Sequence, residues 1–352
     1  MSKSAEKKLK DGPGHRRPPT MAEIARKAGV DVSTVSRALA GSPRVAKETR
    51  VLIDKVVRET GYLVNERARA LRDGRANQIL VISTDIAAPF YSDVVQGIVG
   101  TLAERGISVL LGITLNQEER ESQLGKQLLT GMVDGIITLT GNIPKSLEKI
   151  TDFNRKIVSI SRPIDRDDIT SVTIDNYAAT KEVMSYLHEM GHRRILFIGG
   201  PKYSQTYRNR SAAYMDFMRD NDLVEFMSTR ETDSFRDDAE SGFGIMNSIL
   251  DGGSKPTAVF CVTDELAIGA MAAARKSGLT IPDDMSFFGF DDLKLTSLMF
   301  PPLSTVSVPR FEMGRRGADA LFSQAYQGAK ASDKIVLEHH LVLRNSVLQM
   351  QN

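Results

Sequence analysis

The residue types that usually carry catalysis are sparse in this chain and poorly placed for it. Cys261, the single cysteine, lies inside the apolar run "PTAVFCVT" and suits a core position better than a nucleophile. One cysteine also excludes an intramolecular disulfide and a cysteine-rich metal site. Five histidines include no metal-ligand pair, and His339 and His340, adjacent on an expected strand, point to opposite faces. The "GGP" that follows the apolar run at 195–200 lacks the glycine and lysine spacing of a nucleotide-binding loop. A Gly-x-Ser-x-Gly elbow is absent from the sequence. The sequence therefore predicts no enzyme, no metal and no cofactor. What remains is a row of small polar side chains and one cation, Ser33, Thr34, Ser36 and Arg37, in "EIARKAGVDVSTVSRAL". Hydroxyls and a guanidinium set on one short helix have the chemistry to contact phosphates and base edges.

The elements that must hold this row are legible around it. Thr20 is a good N-cap for a helix from Met21, with Glu23 placed to complete a capping box. Ile24, Ala25 and Ala28 share its inner face, Gly29 supplies the left-handed turn, and Val30 plugs it. Asp31 or Ser33 then caps a second helix whose inner residues are Val35, Ala38 and Leu39. Alanine at 25 lets that helix cross closely. The arrangement is a helix-turn-helix, whose second helix enters the DNA major groove by its N-terminal end; the competing reading is an ordinary helix hairpin. "SPRVAKETRVLIDKVVRETGY" adds a third amphipathic helix, with Val51, Ile53, Val56 and Val57 as apolar members and Gly61 at its end.

Charge distribution favours the DNA reading. Over 352 residues the net charge is +2, but residues 1–76 carry 18 Lys/Arg against 9 Asp/Glu, and the remainder is net negative. A basic head on a mildly acidic body implies that the head meets a polyanion. Residues 1–19, with "GPG" and "PP" breakers, read as a disordered basic tail. That start lacks the apolar core and cleavage site of a secretory signal, and no apolar run approaches a membrane span, so the cytoplasm is expected.

"TMAEIARKAGVDVSTVSRALAGSPRVAKETR" followed by "TGYLVNERARALRDGR" resembles the N-terminal segment of the LacI/GalR bacterial transcription regulators, and the likeness continues through about residues 20–350. The resemblance implies a DNA-binding domain over 20–64, a hinge helix and linker over 65–76, and an effector-binding, dimerising body over 77–352. It places Val32, Ser33 and Ser36 at base edges or backbone, with Arg37 near bases or phosphates. An apolar contact from Val32 to a thymine methyl and a hydroxyl bond from Ser33 follow from those positions. Thr20, Thr34, Thr49 and Arg50 fall among the expected DNA contacts, the last three as phosphate ligands that set register. In "NERARALR", Asn65 caps the hinge helix, Ala68 lets two such helices approach across the dimer axis, and Leu71 matches the leucine that levers open the central base step. Kinking of that kind costs roughly a few kcal/mol per step, recovered through contacts with bent DNA. So short a helix is marginal alone and forms only when DNA and partner hold it. The chain departs from the family at Ala46, which replaces a capping serine, at Ala40 for asparagine, and at Val64 for proline before the hinge.

The body alternates apolar strands, "QILVIST", "GISVLLGIT", "VDGIITLT", "RKIVSIS", "RRILFIGG", "PTAVFCVT" and "MSFFGFD", with helical stretches. That alternation predicts parallel α/β sheets with ligands at the strands' carboxyl ends. The fold expected is an all-α helix-turn-helix head plus an α/β, two-lobed body like the periplasmic binding proteins. By resemblance, lobe one spans 77–173 and 310–336, and lobe two spans 174–309 and 337–352. Effector contacts are expected from Phe90, Tyr91, Arg162, Asp175, Asn176, Thr206, Arg210, Phe235 and Asp291. Carboxylates, an amide, an arginine and aromatic faces suit a sugar; a nucleobase is the alternative. Ser204, where nucleobase-responsive members carry arginine, favours the sugar. Asp175 could instead cap a helix, Arg210 serve an ion pair and Phe235 sit in the core. The partners expected are duplex operator DNA, a small effector and a second copy of the chain, dimerising through 93–105 and "DELAIGAMAAARKSG". No heptad tail follows the last strand, so no coiled-coil tetramer is expected. A periplasmic-type sugar-binding protein remains the rival reading.

Overall fold

A computed structural model describes residues 19–63, 74–149, 156–200, 204–232, 238–253, 256–331 and 334–350. The chain divides into two compact units, 1–74 and 75–352. The expected tail and hinge helix lie outside the described residues.

The first unit is built from α1 (Met21–Ala28), α2 (Val32–Leu39) and α3 (Lys47–Thr60). Thr20 and Glu23 make both bonds of the capping box: the Glu23 amide donates to Thr20 Oγ1 at 3.3 Å and the Thr20 amide to Glu23 Oε2 at 2.8 Å. Gly29 takes φ 65°, a left-handed value that suits glycine and lets α2 turn back across α1. Ile24, Ala25, Ala28, Val35, Ala38, Val45, Ile53, Val56 and Tyr62 form the core. Val51 departs from expectation and is 65 % exposed. Two residues before Ile53, it sits about 200° around the helix and faces away from the core. Asp31 occupies the α2 N-cap without a side-chain bond, and Ala46 leaves α3 without one too.

The second unit contains two parallel sheets. In the first, β1 (Gln78–Ser83), β2 (Ser108–Ile113), β3 (Gly135–Thr138), β4 (Ile157–Ile160), β5 (Thr170–Ile174) and β11 (Ile335–Leu337) take the order β11-β5-β4-β3-β1-β2. The apolar run of β1 serves both faces of this sheet, as a buried parallel sheet requires. Ile79 and Val81 join the core shared with α4 (Pro89–Ala103) and α10 (Arg310–Gln327), whereas Leu80 and Ile82 join a separate cluster with Leu124 and Leu128 of α5 (Glu118–Leu129).

In the second sheet, β6 (Ile195–Gly199), β7 (Ser228–Glu231), β8 (Ala258–Cys261) and β9 (Ser286–Phe288) take the order β7-β6-β8-β9. Its helices are α6 (Asn176–Glu189), α7 (Gln205–Asp220), α8 (Ala239–Asp251) and α9 (Asp264–Lys276). A short antiparallel pair, β10 (Thr305–Ser307) with β12 (His340–Val342), closes the body. The chain passes between the two sheets at 174–176, 307–310 and 337–340, so each lobe is assembled from separated segments. Among the described residues no helix is long and apolar enough to cross a membrane.

Candidate functional site

On the head, α2 presents Val32, Ser33 and Arg37 to solvent, while Thr34 and Ser36 are half-buried beside them. The inward side chains Val35 and Ala38 are what turn this polar row outward. Val32 is 45 % exposed, an apolar side chain with no core to join. Thr49 lies half-buried on the first turn of α3. Arg50 differs from a free phosphate ligand: its Nη2 donates to the Ser42 carbonyl at 2.5 Å and ties the 40–46 loop to α3. Asn65, Ala68 and Leu71 lie outside the described residues.

In the body, a half-open cleft of about 190 Å³ is lined from both lobes by residues at strand carboxyl ends. Phe90, Tyr91, Arg162, Thr206, Arg210 and Asp291 all line it. Phe90 and Tyr91 pack edge to face with centroids 5.2 Å apart, and the Tyr91 hydroxyl donates to the Leu139 carbonyl at 3.3 Å. Thr206 Oγ1 reaches the Ser161 carbonyl at 3.4 Å, joining α7 to the loop after β4 across the cleft. Tyr207 forms part of the wall beside Gly199, where a Cβ would collide with its ring.

Arg210 is buried and heavily committed. Its Nε donates to Asn176 Oδ1 at 2.9 Å, its Nη1 donates to the Val262 carbonyl, and its guanidinium stacks 3.4 Å from the Phe290 ring centroid. It therefore orients the floor of the cleft as well as lining it. Asn176 does not line the cleft; buried, it holds Arg210 in place. Asp175 does not line it either, because its carboxylate caps α6 by accepting the Ala178 amide at 2.9 Å. Phe235 lies outside the described residues.

Asp291 is 5 % exposed and takes φ 115°, a strained conformation for a residue with a Cβ. Burial pushes its carboxyl well above the usual range, with Arg210 and Arg310 pulling the other way. Its backbone is pinned on both sides: the amide donates to the Val306 carbonyl at 2.9 Å, and Arg310 Nη1 donates to its carbonyl. Arg310 also pairs with Asp93 of α4 at 3.0 Å and donates to the Asp292 carbonyl at 3.1 Å. One arginine thus clamps the first lobe to the loop that carries Asp291.

Asp264, at the first turn of α9, completes the support. Its Oδ1 accepts from Thr305 Oγ1 at 2.6 Å and its Oδ2 from the Leu293 amide at 2.8 Å. Fully buried, its carboxyl is pushed up to about 7 by loss of water. Asp85, Asp238 and Glu265 line the cleft as well, and sequence reasoning missed them. The available signal was position: Asp85 stands just past the end of β1, Asp238 just before α8, and Glu265 in the first turn of α9 after β8.

A helix-turn-helix head followed by a two-lobed, cleft-bearing α/β body defines a DNA-binding regulator with a ligand-sensing domain. Residues 20–65 match the family described as bacterial regulatory proteins, lacI family, and residues 184–347 match the periplasmic binding protein-like domain. The HTH-type transcriptional repressor CytR of Escherichia coli K12 is 33 % identical, over 93 % of this chain and 96 % of that protein. The lac repressor dimer bound to operator and the anti-inducer ONPF superposes with TM-score 0.83 at 27 % identity, covering 94 % of this chain and 100 % of that one. A transcriptional regulator CelR–cellobiose complex superposes with TM-score 0.68 at 28 % identity, covering 93 % and 99 %. The chain belongs to the LacI family of bacterial transcription regulators and is a DNA-binding regulator with an effector-binding body, not an enzyme.

Proposed function

We propose that this chain is a cytoplasmic repressor that binds a pseudo-palindromic operator as a homodimer and is controlled by a sugar or sugar derivative. Val32, Ser33 and Arg37 read the major groove from the exposed face of α2, and Thr34, Ser36 and Thr49 set register on phosphates. Thr20 and Arg50 serve mainly by fixing the head's geometry. Asn65, Ala68 and Leu71 supply the paired minor-groove helices, one Leu71 from each subunit.

The observation that carries the effector half is the convergence of Phe90, Tyr91, Arg162, Thr206, Arg210 and Asp291 on one cleft. Carboxylates and guanidinium groups there can hold adjacent hydroxyls while Phe90 covers an apolar ring face. Ser204 contributes a small hydroxyl that already caps α7, in place of the arginine that nucleobase-responsive members carry, which favours a sugar over a purine. The CelR structure is a complex with cellobiose, which supports a carbohydrate as the class of effector.

A thermal-shift screen of the full chain against sugars, polyols, sugar phosphates and nucleobases tests the reading, because a ligand of the folded state must raise its melting temperature. A sugar that shifts the wild type and loses its effect in Arg210→Ala supports it. A nucleobase hit with no carbohydrate response overturns the sugar assignment.

A further inference from the structure

A second cavity of about 370 Å³ opens at the carboxyl ends of β1, β2 and β3, entirely within the first lobe. It adjoins the effector cleft: Thr84 lines both, and Gly141, on its wall, packs against Arg162 of the cleft. Its surface is unlike an ordinary packing defect. Thr84, Thr114, Asn116, Gln117, Thr140 and Asn142 offer hydroxyls and amides, whereas dry voids in protein interiors are lined by apolar side chains. Leu115 and Asn116 adopt φ 50° and 57°, a left-handed pair that turns the loop after β2 around the cavity mouth.

The wall is held rather than loose. Glu121 of α5 is 7 % exposed, and its Oε1 accepts from Thr140 Oγ1 at 2.5 Å. Its Oε2 accepts from Asn142 Nδ2 at 3.4 Å, and the Asn142 amide donates to Thr140 Oγ1 at 3.2 Å. Lys145 at the rim is paired with Glu118 at 2.6 Å, so with Glu121 and Glu148 the lining carries an excess of carboxylates. Such a wall disfavours a phosphate or carboxylate ligand and suits neutral hydroxyls.

We propose that this cavity is the outer half of the effector site and takes the second unit of a neutral two-ring glycoside whose first sugar lies in the cleft. The inference rests on the sugar reading of the cleft. Thr84 marks the junction, and the amide and hydroxyl groups beyond it bond the outer ring.

Titration calorimetry on the full chain with matched pairs, glucose with cellobiose and maltose and galactose with lactose, tests the idea. For at least one pair the disaccharide is expected to bind about tenfold or more tighter than its monosaccharide. Gln117→Ala and Asn142→Ala each remove most of that advantage and leave the monosaccharide's Kd unchanged. Gln117 is exposed and, at the N-cap of α5, makes no side-chain capping bond, so its variant guards against loss by misfolding of the Asn142 variant. A monosaccharide that binds no more weakly than its disaccharide, or a disaccharide advantage that survives both variants, overturns the outer subsite while the cleft assignment stands. Absence of binding by every member of every pair overturns both.

Discussion

Asp264 shows what a single buried carboxyl can do to this protein. It touches no part of the cleft directly, yet it ties the start of α9 to Leu293 and Thr305 on either side of the loop that carries Asp291. Its folded pKa, pushed to about 7, lies above its unfolded value. The stability it contributes is therefore complete at pH below about 4 and is lost as pH rises through about 7. Asp264→Asn is expected to remove that dependence, so the difference in unfolding free energy between variant and wild type grows by up to a few kcal/mol from pH 4 to 8. Denaturant melts of both proteins across that range check it; parallel pH profiles would refute it. Comparing the two proteins also cancels the opposite contribution of buried His192, whose depressed pKa makes it costly to fold at low pH. Sequence patterns marked Arg210 and Asp291 as cleft residues but gave no sign of Asp264. An aspartate in the first turn of a helix is ordinary, and only Gly289, whose missing Cβ leaves room for the Asp264 carboxylate, distinguishes this one. Asn176 shows the same limit, since spacing put it beside the cleft but could not show its amide turned toward Arg210.

At the level of elements, two helix pairs depend on the absence of side chains. Gly242 of α8 faces the Leu266 carbonyl of α9, and Gly269 of α9 faces the Ala239 carbonyl, so a methyl at either would overlap backbone. Gly97 of α4 and Gly314 of α10 repeat the device with Phe311 and Val94. Gly269→Ala is expected to force α8 and α9 apart and cost about 1–3 kcal/mol, lowering the melting temperature of the body by several degrees. An unchanged melt would mean the helices slide without penalty. The head offers the converse case. Ala46 stands at the N-cap of α3 with extended backbone, φ −57° and ψ 146°, and no side-chain bond. Ala46→Ser is expected to stabilise the head by about 1 kcal/mol, measurable by amide exchange in α3 with the body as internal control. Most of these elements were legible because their apolar residues recur at helical or strand spacing. The polar edge strand β7, "STRE", was not, since it has no buried face to leave a pattern. Val51 was misplaced because an apolar residue alone does not say which side of a helix it occupies.

For the molecule as a whole, Arg310 is a buried fastening between lobes, reaching Asp93 on one side and the Asp291 and Asp292 carbonyls on the other. Arg310→Met keeps the length of the side chain but leaves Asp93 without its closest cation. It is expected to destabilise the body by a few kcal/mol and to open the cleft, seen as a larger radius of gyration in solution scattering. A compact body of unchanged stability would show that the lobes are held elsewhere. The three passages between sheets have a further consequence, for the order in which the protein is made. The described core of the head is drawn from residues between Met21 and Tyr62, so it can fold soon after it leaves the ribosome. The first sheet must wait for β11 at Ile335–Leu337, and β10 at Thr305–Ser307 finds its partner only when β12 at His340–Val342 has been made. A chain released early would carry a finished reader of DNA joined to an unfinished sensor. Synthesis through His340–Val342 is thus the step that completes the cleft-bearing body behind an already folded reader.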